Sequence, residues 1–106
     1  MTTIIQGESF PILIRLKKSG GASLTPDDIA DLMICLDTVS KQYSKGQVTF
    51  QEQKGGFEFC PSQEDTAAMN PGFHAVWCSI KYCDGIVKKV EGETVKVQRG
   101  HCGVIL

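Results

Sequence analysis

The sequence predicts an all-β domain, an antiparallel sandwich of about seven short strands without a disulfide. Short apolar runs of alternating polarity recur along the chain, and 11 glycines and 4 prolines punctuate it. Two helix-start signals leave room for single helical turns only. The length of 106 residues fits one domain, so we expect a single unit over 1–106, with 98–106 as a C-terminal tail or edge strand.

The first predicted strand spans residues 10–17, where apolar side chains at every second position fall on one face. These side chains are Phe10, Ile12, Ile14 and Leu16. Pro11 cannot donate a hydrogen bond to a neighbouring strand. It therefore indicates a sheet edge or the start of a strand.

A single helical turn is predicted next, at Thr25-Pro26-Asp27-Asp28. Thr25 suits the N-cap position, Pro26 suits the first helical position, and the acidic side chains favour the positive end of the helix dipole. The turn leads directly into a strand over 31–36, and the alternation of that strand predicts Leu32, Ile34 and Leu36 in the core.

A hairpin and a second helical turn occupy the middle of the chain. The segments 46–50 and 57–59 alternate in polarity around Gly55-Gly56, which is a turn signal. Ser62 is a candidate N-cap followed by acidic residues. The second turn is therefore expected to carry the chain across to the next strand.

The strongest hairpin signal is Asp84-Gly85, which joins two long strand candidates. Residues 73–83 are rich in aromatic and β-branched side chains, and residues 86–97 return with Val95 and Val97 on one face. Together with the earlier elements, this pattern predicts a sandwich of the immunoglobulin-like type, with the turn at Ser62 crossing between its sheets.

Cysteine usage predicts that no disulfide holds this sandwich together. The chain has 5 cysteines, an odd number, so a complete set of disulfides within the chain is impossible. The N-terminal residues lack the basic and apolar regions of a signal peptide. We therefore expect reduced thiols and a cytoplasmic location during expression.

Charge and hydropathy exclude two classes of partner. The net charge is −1, from 11 basic and 12 acidic residues, whereas nucleic-acid binding requires an excess of Lys and Arg on one face. No segment approaches the roughly 18 consecutive apolar residues of a membrane helix. We expect neither a nucleic-acid partner nor a membrane partner.

Metal-binding and catalytic interpretations find little support in the residue spacing. His74 and Cys78 share a strand face but lie about 13 Å apart, too far to bind one tetrahedral ion. Cys60 precedes a helix start, but no orienting third group accompanies it. We therefore expect that the protein is not an enzyme and has no catalytic residue. We also expect no cofactor, no metal site and no small-molecule ligand.

The predicted strand over 73–83 is unusual because it carries aromatic side chains on its polar face. Phe73 and Trp77 lie opposite the face that carries Val76, Cys78 and Ile80. One interpretation is that the C-terminal tail lightly covers Trp77. The other is that Trp77 and Phe73 mark an interface, to which Ile105 and Leu106 of the tail add a strand edge open to pairing.

The order of turns and strands resembles that of a known group of proteins. The features that carry the resemblance are Gly7-Glu8-Ser9-Phe10, Leu24-Thr25-Pro26-Asp27-Asp28-Ile29, Ser62-Gln63-Glu64-Asp65-Thr66, Pro71-Gly72-Phe73 and Asp84-Gly85. From about residue 7 to residue 97, the chain is similar to small immunoglobulin-like proteins encoded in bacterial prophages. These proteins are similar to the N-terminal domain of phage baseplate upper proteins and to other tail-associated sandwiches.

This resemblance implies a structural or assembly module of a phage tail or baseplate, without catalytic residues. Its partners would be other phage structural proteins or further copies of itself, and it would be associated with the virion. An alternative interpretation is a ligand- or carbohydrate-binding sandwich that uses exposed Trp77 or Tyr82 as a stacking platform.

Overall fold

Eight strands and one short α-helix form the framework of the protein in a computed structural model that describes residues 2–100. The elements are β1 (Thr2–Ile5), β2 (Ile12–Ile14), β3 (Ile29–Leu36), β4 (Val39–Gln42), β5 (Val48–Gln51), β6 (Gly56–Phe59), α1 (Gln63–Ala67), β7 (Gly72–Tyr82) and β8 (Val87–Gln98). Three 3₁₀ turns lie between strands, at Pro26–Asp28, Tyr43–Lys45 and Glu52–Lys54.

The strands form two sheets that enclose one core as a β-sandwich. The larger sheet has the order β1-β8-β7-β3-β4, and the smaller has the order β2-β6-β5. All pairings are antiparallel except that of β1 with β8. Hairpins join β3 to β4, β5 to β6 and β7 to β8, and every other connection crosses between the sheets.

The core residues come from alternate positions, as the sequence predicts. Leu32, Ile34 and Leu36 of β3 are at most 1% exposed, and Val95 and Val97 of β8 are at most 2% exposed. Full burial of each such side chain stabilises the fold by roughly 1.5–3 kcal/mol. Apolar packing therefore holds the two sheets together. Cys35, Cys60, Cys78 and Cys83 are free thiols in the described part of the chain.

Both predicted helical turns are confirmed, and each is closed by a carboxylate. Thr25 occupies the N-cap position of the first turn, and Asp28 Oδ2 accepts hydrogen bonds from its backbone N–H at 2.9 Å and its hydroxyl at 3.1 Å. Ser62 caps α1, where its Oγ accepts from the N–H of Asp65 at 3.1 Å and Asp65 Oδ2 accepts from the N–H of Ser62 at 2.9 Å. As expected, α1 carries the chain from the smaller sheet to the larger one.

The structure has eight strands within residues 2–100, where about seven were predicted, and two of the eight, β1 and β4, escape the sequence pattern. Each is four residues long with a single buried side chain, Ile4 in β1 and Val39 in β4. Their pairing with β8 and β3 defines them as strands, and periodicity cannot reveal such pairing. The predicted edge strand of the tail lies mostly outside the described residues. The crossing that begins at Ser62 lies between β6 and β7, and the strand that carries Phe73 and Trp77 is β7.

The first predicted strand, over 10–17, is also shorter in the structure. Only Ile12–Ile14 form β2, which begins directly after Pro11 and lies at the edge of the smaller sheet. Leu16 remains buried, and Lys17 makes an isolated bridge with Ser23. The alternation correctly identified the buried face but not the length of the paired segment.

Residues 98–100 are the part of the predicted C-terminal tail that lies within the described residues. β8 ends at Gln98, and the N–H of Gly100 donates to Gln6 Oε1 at 3.1 Å. The predicted interface residues Ile105 and Leu106 lie outside the described residues. Within 2–100, no helix has the length and apolar character that crossing a membrane requires.

Candidate functional site: the aromatic face of the larger sheet

The outward side of β7 carries two exposed aromatic side chains. Phe73 is 65% exposed and Trp77 is 47% exposed, whereas Val76 and Cys78 on the inward side are fully buried. The sequence predicted this division because side chains alternate along a strand. We call the outward surface of β7 and of the residues paired with it the aromatic face. Its β7 members are Phe73, Ala75, Trp77, Ser79 and Lys81.

The neighbours of Trp77 are set by strand register. Cys35 of β3 lies opposite it on one side, and Glu91 of β8 lies opposite it on the other. Cys35 is partly buried, and its Sγ lies 3.6 Å from the Oγ of Ser40 on β4. The indole thus stands between a weakly polar thiol and a carboxylate, which gives it an apolar side and a charged side.

Phe73 lies on the same face, at the start of β7. Its partner across the sheet is Lys96, whose Nζ lies 6.0 Å from the ring centroid. Such a cation–π contact at an exposed site contributes on the order of 0.5–1 kcal/mol. About 13 Å of strand separates Phe73 from Trp77, with the small Ala75 between them. The face therefore presents two exposed aromatic rings that are separated by the small side chain of Ala75.

Two further exposed apolar residues extend this surface. Ile5 of β1 is 40% exposed and Val87 of β8 is 56% exposed. Val87 pairs with Lys81 of the aromatic face. Ile5 was missed because the sequence pattern did not reveal β1. The alternation of β8 was available as a signal for Val87, but its Lys and Glu residues suggested a solvated strand.

Tyr82 belongs to a different surface from Trp77. It lies on the inward side of β7 and is partly buried against the core. It lines a groove of about 380 Å³ together with Lys18, Asp28, Ile86 and Lys88. Because the two rings lie on opposite sides of one strand, they do not form a single stacking platform.

The cysteines differ widely in their accessibility. Cys78 is fully buried, and burial, together with the neighbouring Cys35, raises its pKa to about 11. Its thiol is therefore protonated at neutral pH and a poor nucleophile. Cys60 is exposed, with its Sγ 3.6 Å from Ser9 Oγ. No hydrogen bond within residues 2–100 joins a cysteine to His74.

His74 has a structural environment near the start of β7. Its Nε2 lies 2.7 Å from the carbonyl oxygen of Asn70, and a carbonyl only accepts, so Nε2 carries a proton. Its Nδ1 lies 3.9 Å from Asp37 Oδ1. Asp37 also accepts a hydrogen bond from the N–H of Asn70 at 2.7 Å. The hydrogen bond from Asn70 to Asp37 thus joins the turn before β7 to the turn between β3 and β4, and His74 donates to the carbonyl oxygen of the same Asn70.

Acidic residues near the first helical turn are engaged in hydrogen bonds within the protein. Asp28 accepts from Thr25 and forms an ion pair with Lys18 at 3.0 Å. Asp31 accepts from the side chain of Gln42, and from the N–H and the hydroxyl of Ser44 at 3.0 Å each. The described residues contain no group of three or more His, Cys, Asp or Glu side chains placed to hold a metal ion.

No known protein family matches the chain, and no curated protein matches it. What the chain does must therefore be inferred from its fold and from the chemistry of its surface. The most distinctive part of that surface is the aromatic face.

Proposed function

We propose that the chain is an immunoglobulin-like β-sandwich that serves as a non-enzymatic assembly module. It acts through protein–protein contacts centred on Trp77 and Phe73. The observation that carries the proposal is the exposure of both rings on one side of a central strand. In a two-layer sandwich, a strand facing the core is expected to be polar on its other side.

Strand order supports the immunoglobulin-like assignment. The order β8-β7-β3-β4 corresponds to the G, F, C and C′ strands of a variable-type immunoglobulin sheet. The order β2-β6-β5 corresponds to the B, E and D strands of the opposite sheet. The usual B–F disulfide has no counterpart, because β2 consists of Ile-Leu-Ile. The position of Trp77 also differs, since it is exposed on β7 rather than buried on β3.

The composition of the aromatic face supports a protein partner. Trp is enriched among residues that dominate binding energy, and hot spots lie within a rim that excludes water. Lys81, Glu91 and Lys96 provide charged groups around the two rings. An aromatic side chain buries about 150–250 Å² when covered. Because Trp77 is 47% and Phe73 is 65% exposed, covering both rings removes about half of that area. Surrounding contacts must supply most of the roughly 800 Å² per partner of a standard interface.

The resemblance to prophage-encoded tail proteins suggests the setting for this contact. In that setting the module belongs to a phage tail or baseplate. Its partners are other structural proteins of the particle or further copies of the chain. Sheet faces suit this role because a rigid β-scaffold presents side chains in a fixed geometry.

A photo-cross-linking amino acid at position 77 tests the proposal. Glu64, exposed on α1 at the crossing between the sheets, provides a matched control position. We expect position 77 to cross-link to a structural protein of a phage particle or to a second copy, and position 64 to cross-link to neither. Equal labelling from the two positions would contradict a specific aromatic interface.

A glycan-array screen distinguishes the carbohydrate-binding alternative. A protein-assembly face gives no glycan signal that depends on Trp77. Binding of one glycan class that is lost in Trp77→Ala, without position-specific protein cross-links, would replace assembly with ligand recognition as the function of this face.

A further inference from the structure

The first half of β8 is an open sheet edge. β1 pairs only with the end of β8, from Val95 to Gln98. Within residues 2–100, no strand lies beside 87–93 on the side that faces away from β7. An open edge presents backbone donors and acceptors that another strand can pair with.

The hairpin geometry identifies which backbone groups are available. At the turn, the N–H of Gly85 donates to the carbonyl of Tyr82, and the N–H of Tyr82 donates to the carbonyl of Ile86, both at 2.9 Å. Antiparallel pairing alternates between bonded and non-bonded pairs from that point. The N–H and C=O groups of Val87, Lys89 and Glu91 therefore point away from β7.

The order of charges along this edge is self-complementary. The sequence from residue 88 to residue 91 is Lys-Lys-Val-Glu, so Lys89 and Glu91 lie symmetrically on either side of Val90. Neither Lys89 nor Glu91 takes part in the ion pairs found within residues 2–100. Charged residues usually prevent edge pairing, but this order favours an antiparallel copy of the same strand.

We propose that β8 pairs with β8 of a second copy of this chain about a two-fold axis at Val90. In this register Lys89 lies opposite Glu91 of the partner subunit, and Glu91 lies opposite Lys89 of the partner subunit. Each of these pairs has its backbone groups directed at the other strand. The dimer thus gains about four backbone hydrogen bonds and two opposite-charge pairs.

Other registers fit less well. A shift of one residue pairs outward-directed backbone groups with groups that are already bonded to β7. A shift of two residues places either Lys89 opposite Lys89 of the partner subunit or Glu91 opposite Glu91 of the partner subunit. Like charges directly opposite each other are destabilising. Backbone pairing and charge therefore select the same register.

The length of the open edge fits this arrangement. In the proposed register Thr94 lies opposite Ile86 of the partner subunit, where the partner's hairpin turns away. The pairing of β1 begins at Val95, so the partner's strand ends where β1 begins. The extra residue in β8 between Glu91 and Thr94 marks the end of the regular edge.

Apolar surface at the same edge favours coverage by a second copy. Val90 is 38% exposed and lines a groove of about 420 Å³ between β8 and β2, together with Leu13 and Leu16. The two-fold axis brings Val90 against Val90 of the partner subunit. The groove openings of the two copies are then brought together at the interface.

This dimer pairs the backbone of the strand edge and leaves the rings of Trp77 and Phe73 uncovered, so it does not rest on the proposed function. Its charge pairs lie at the border of the aromatic face, because Lys89 pairs with Ser79 and Glu91 pairs with Trp77. A two-fold axis perpendicular to the sheet leaves the aromatic faces of both copies on the same side. The interface is smaller than the standard size of stable complexes. We therefore expect weak association, with a dissociation constant on the order of 10–100 µM.

Charge reversal tests the pairing, because a residue that only stabilised the monomer would not show rescue of dimerisation by the complementary charge. Sedimentation equilibrium of the full chain in reducing buffer gives the dimer dissociation constant. We expect Lys89→Glu and Glu91→Lys each to weaken the dimer by about tenfold or more, because each makes both charge pairs repulsive. An equimolar mixture of the two variants, and the doubly exchanged K89E/E91K chain, should associate as the wild type does.

Lys88→Glu is the matched control, because it changes net charge equally but lies opposite Gly92 of the partner subunit. We expect its dissociation constant to stay within about threefold of the wild-type value. A monomeric wild type at about 1 mM would overturn the proposal. A dimer whose dissociation constant is unchanged in both Lys89→Glu and Glu91→Lys would also overturn it. So would a dimer that is lost in Trp77→Ala but unchanged in Lys89→Glu.

Amide hydrogen exchange supplies an independent readout. The N–H groups of Lys89 and Glu91 should gain protection as protein concentration rises through the dissociation constant, while that of Val90 changes little. Concentration-independent protection of both amides in a monomer would show that the chain covers its own edge, and would contradict dimerisation there.

Discussion

The two sides of β7 contrast sharply although the same eleven residues, Gly72–Tyr82, build both. The inward side places Val76, Cys78 and Ile80 in the core, where each is at most 2% exposed. The outward side leaves Phe73 and Trp77 largely in solvent. One side thus contributes to folding and the other is available for binding. Substitutions on the two sides should separate these contributions.

The largest effect is expected on the inward side. Ile80→Ala removes buried methylene groups and leaves a cavity, which should lower the free energy of unfolding by about 2–5 kcal/mol. Urea denaturation followed by circular dichroism measures this loss. A change below about 1 kcal/mol would mean that the inward side of β7 is not close-packed.

A smaller loss of stability is expected at Asp31, whose carboxylate joins β3 to the turn after β4. Burial opposes its ionisation, but hydrogen bonds from Gln42, Leu32 and Ser44 outweigh that effect, so its pKa is lowered. Asp31→Asn turns an amide N–H₂ towards these donors and should cost about 1–3 kcal/mol. Urea denaturation at neutral pH measures this cost, and a stability equal to that of the wild type would contradict the role.

Acid should weaken the fold through the same carboxylate and two others. The pKa values of Asp28, Asp31 and Asp65 are all lowered from 3.8. A lowered folded-state pKa stabilises the protein above the unfolded value and loses this contribution as pH falls through the folded value. Stability should therefore decline below about pH 4. Asp31→Asn should show a shallower decline than the wild type in urea titrations at several pH values.

The rate of thiol alkylation tests the burial of Cys78, on the inward side of β7, without any change of sequence. With a pKa of about 11, Cys78 has a thiolate fraction of roughly 10⁻⁴ at pH 7, and it is also buried. Alkylation followed by mass spectrometry should modify exposed Cys60 and Cys83 first and leave Cys78 unmodified in the folded protein. Modification of Cys78 at a similar rate would contradict the burial of the inward side.

The smallest effect on stability is expected for Trp77→Ala. Because nearly half of the side chain is already exposed, at 47%, its removal should change the free energy of unfolding by no more than about 1 kcal/mol. Cross-linking through a photo-reactive group at Ser79, the neighbouring outward position, should nevertheless fall in this variant. A large loss of stability would place Trp77 with the core residues instead.

The sequence predicted the parts of this structure that depend on local pattern. The buried sides of β3, β7 and β8 follow from alternation, and both helical turns follow from capping residues. The paired length of β2 and the existence of β1 and β4 depend on contacts between distant segments. Four-residue strands with one buried side chain give no periodic signal.

The candidate site was predictable to a similar extent. Trp77 and Phe73 were identified because two aromatic side chains share the polar side of an amphipathic strand. The open edge of β8 was not identified, because the sequence does not show that β1 covers only its end. Ile105 and Leu106, the other predicted interface residues, lie beyond the described part of the chain.

Trp77 is the only tryptophan of the chain, so its fluorescence reports directly on the central claim. Emission and acrylamide quenching should be measured on the dilute, full-length wild type, with unfolded protein as the reference. If the outward side of β7 is open for binding, we expect emission close to that of a hydrated indole. Acrylamide quenching should then approach that of the unfolded chain. Blue-shifted emission with strong shielding would show that the chain covers Trp77 itself, and would contradict the proposed assembly face.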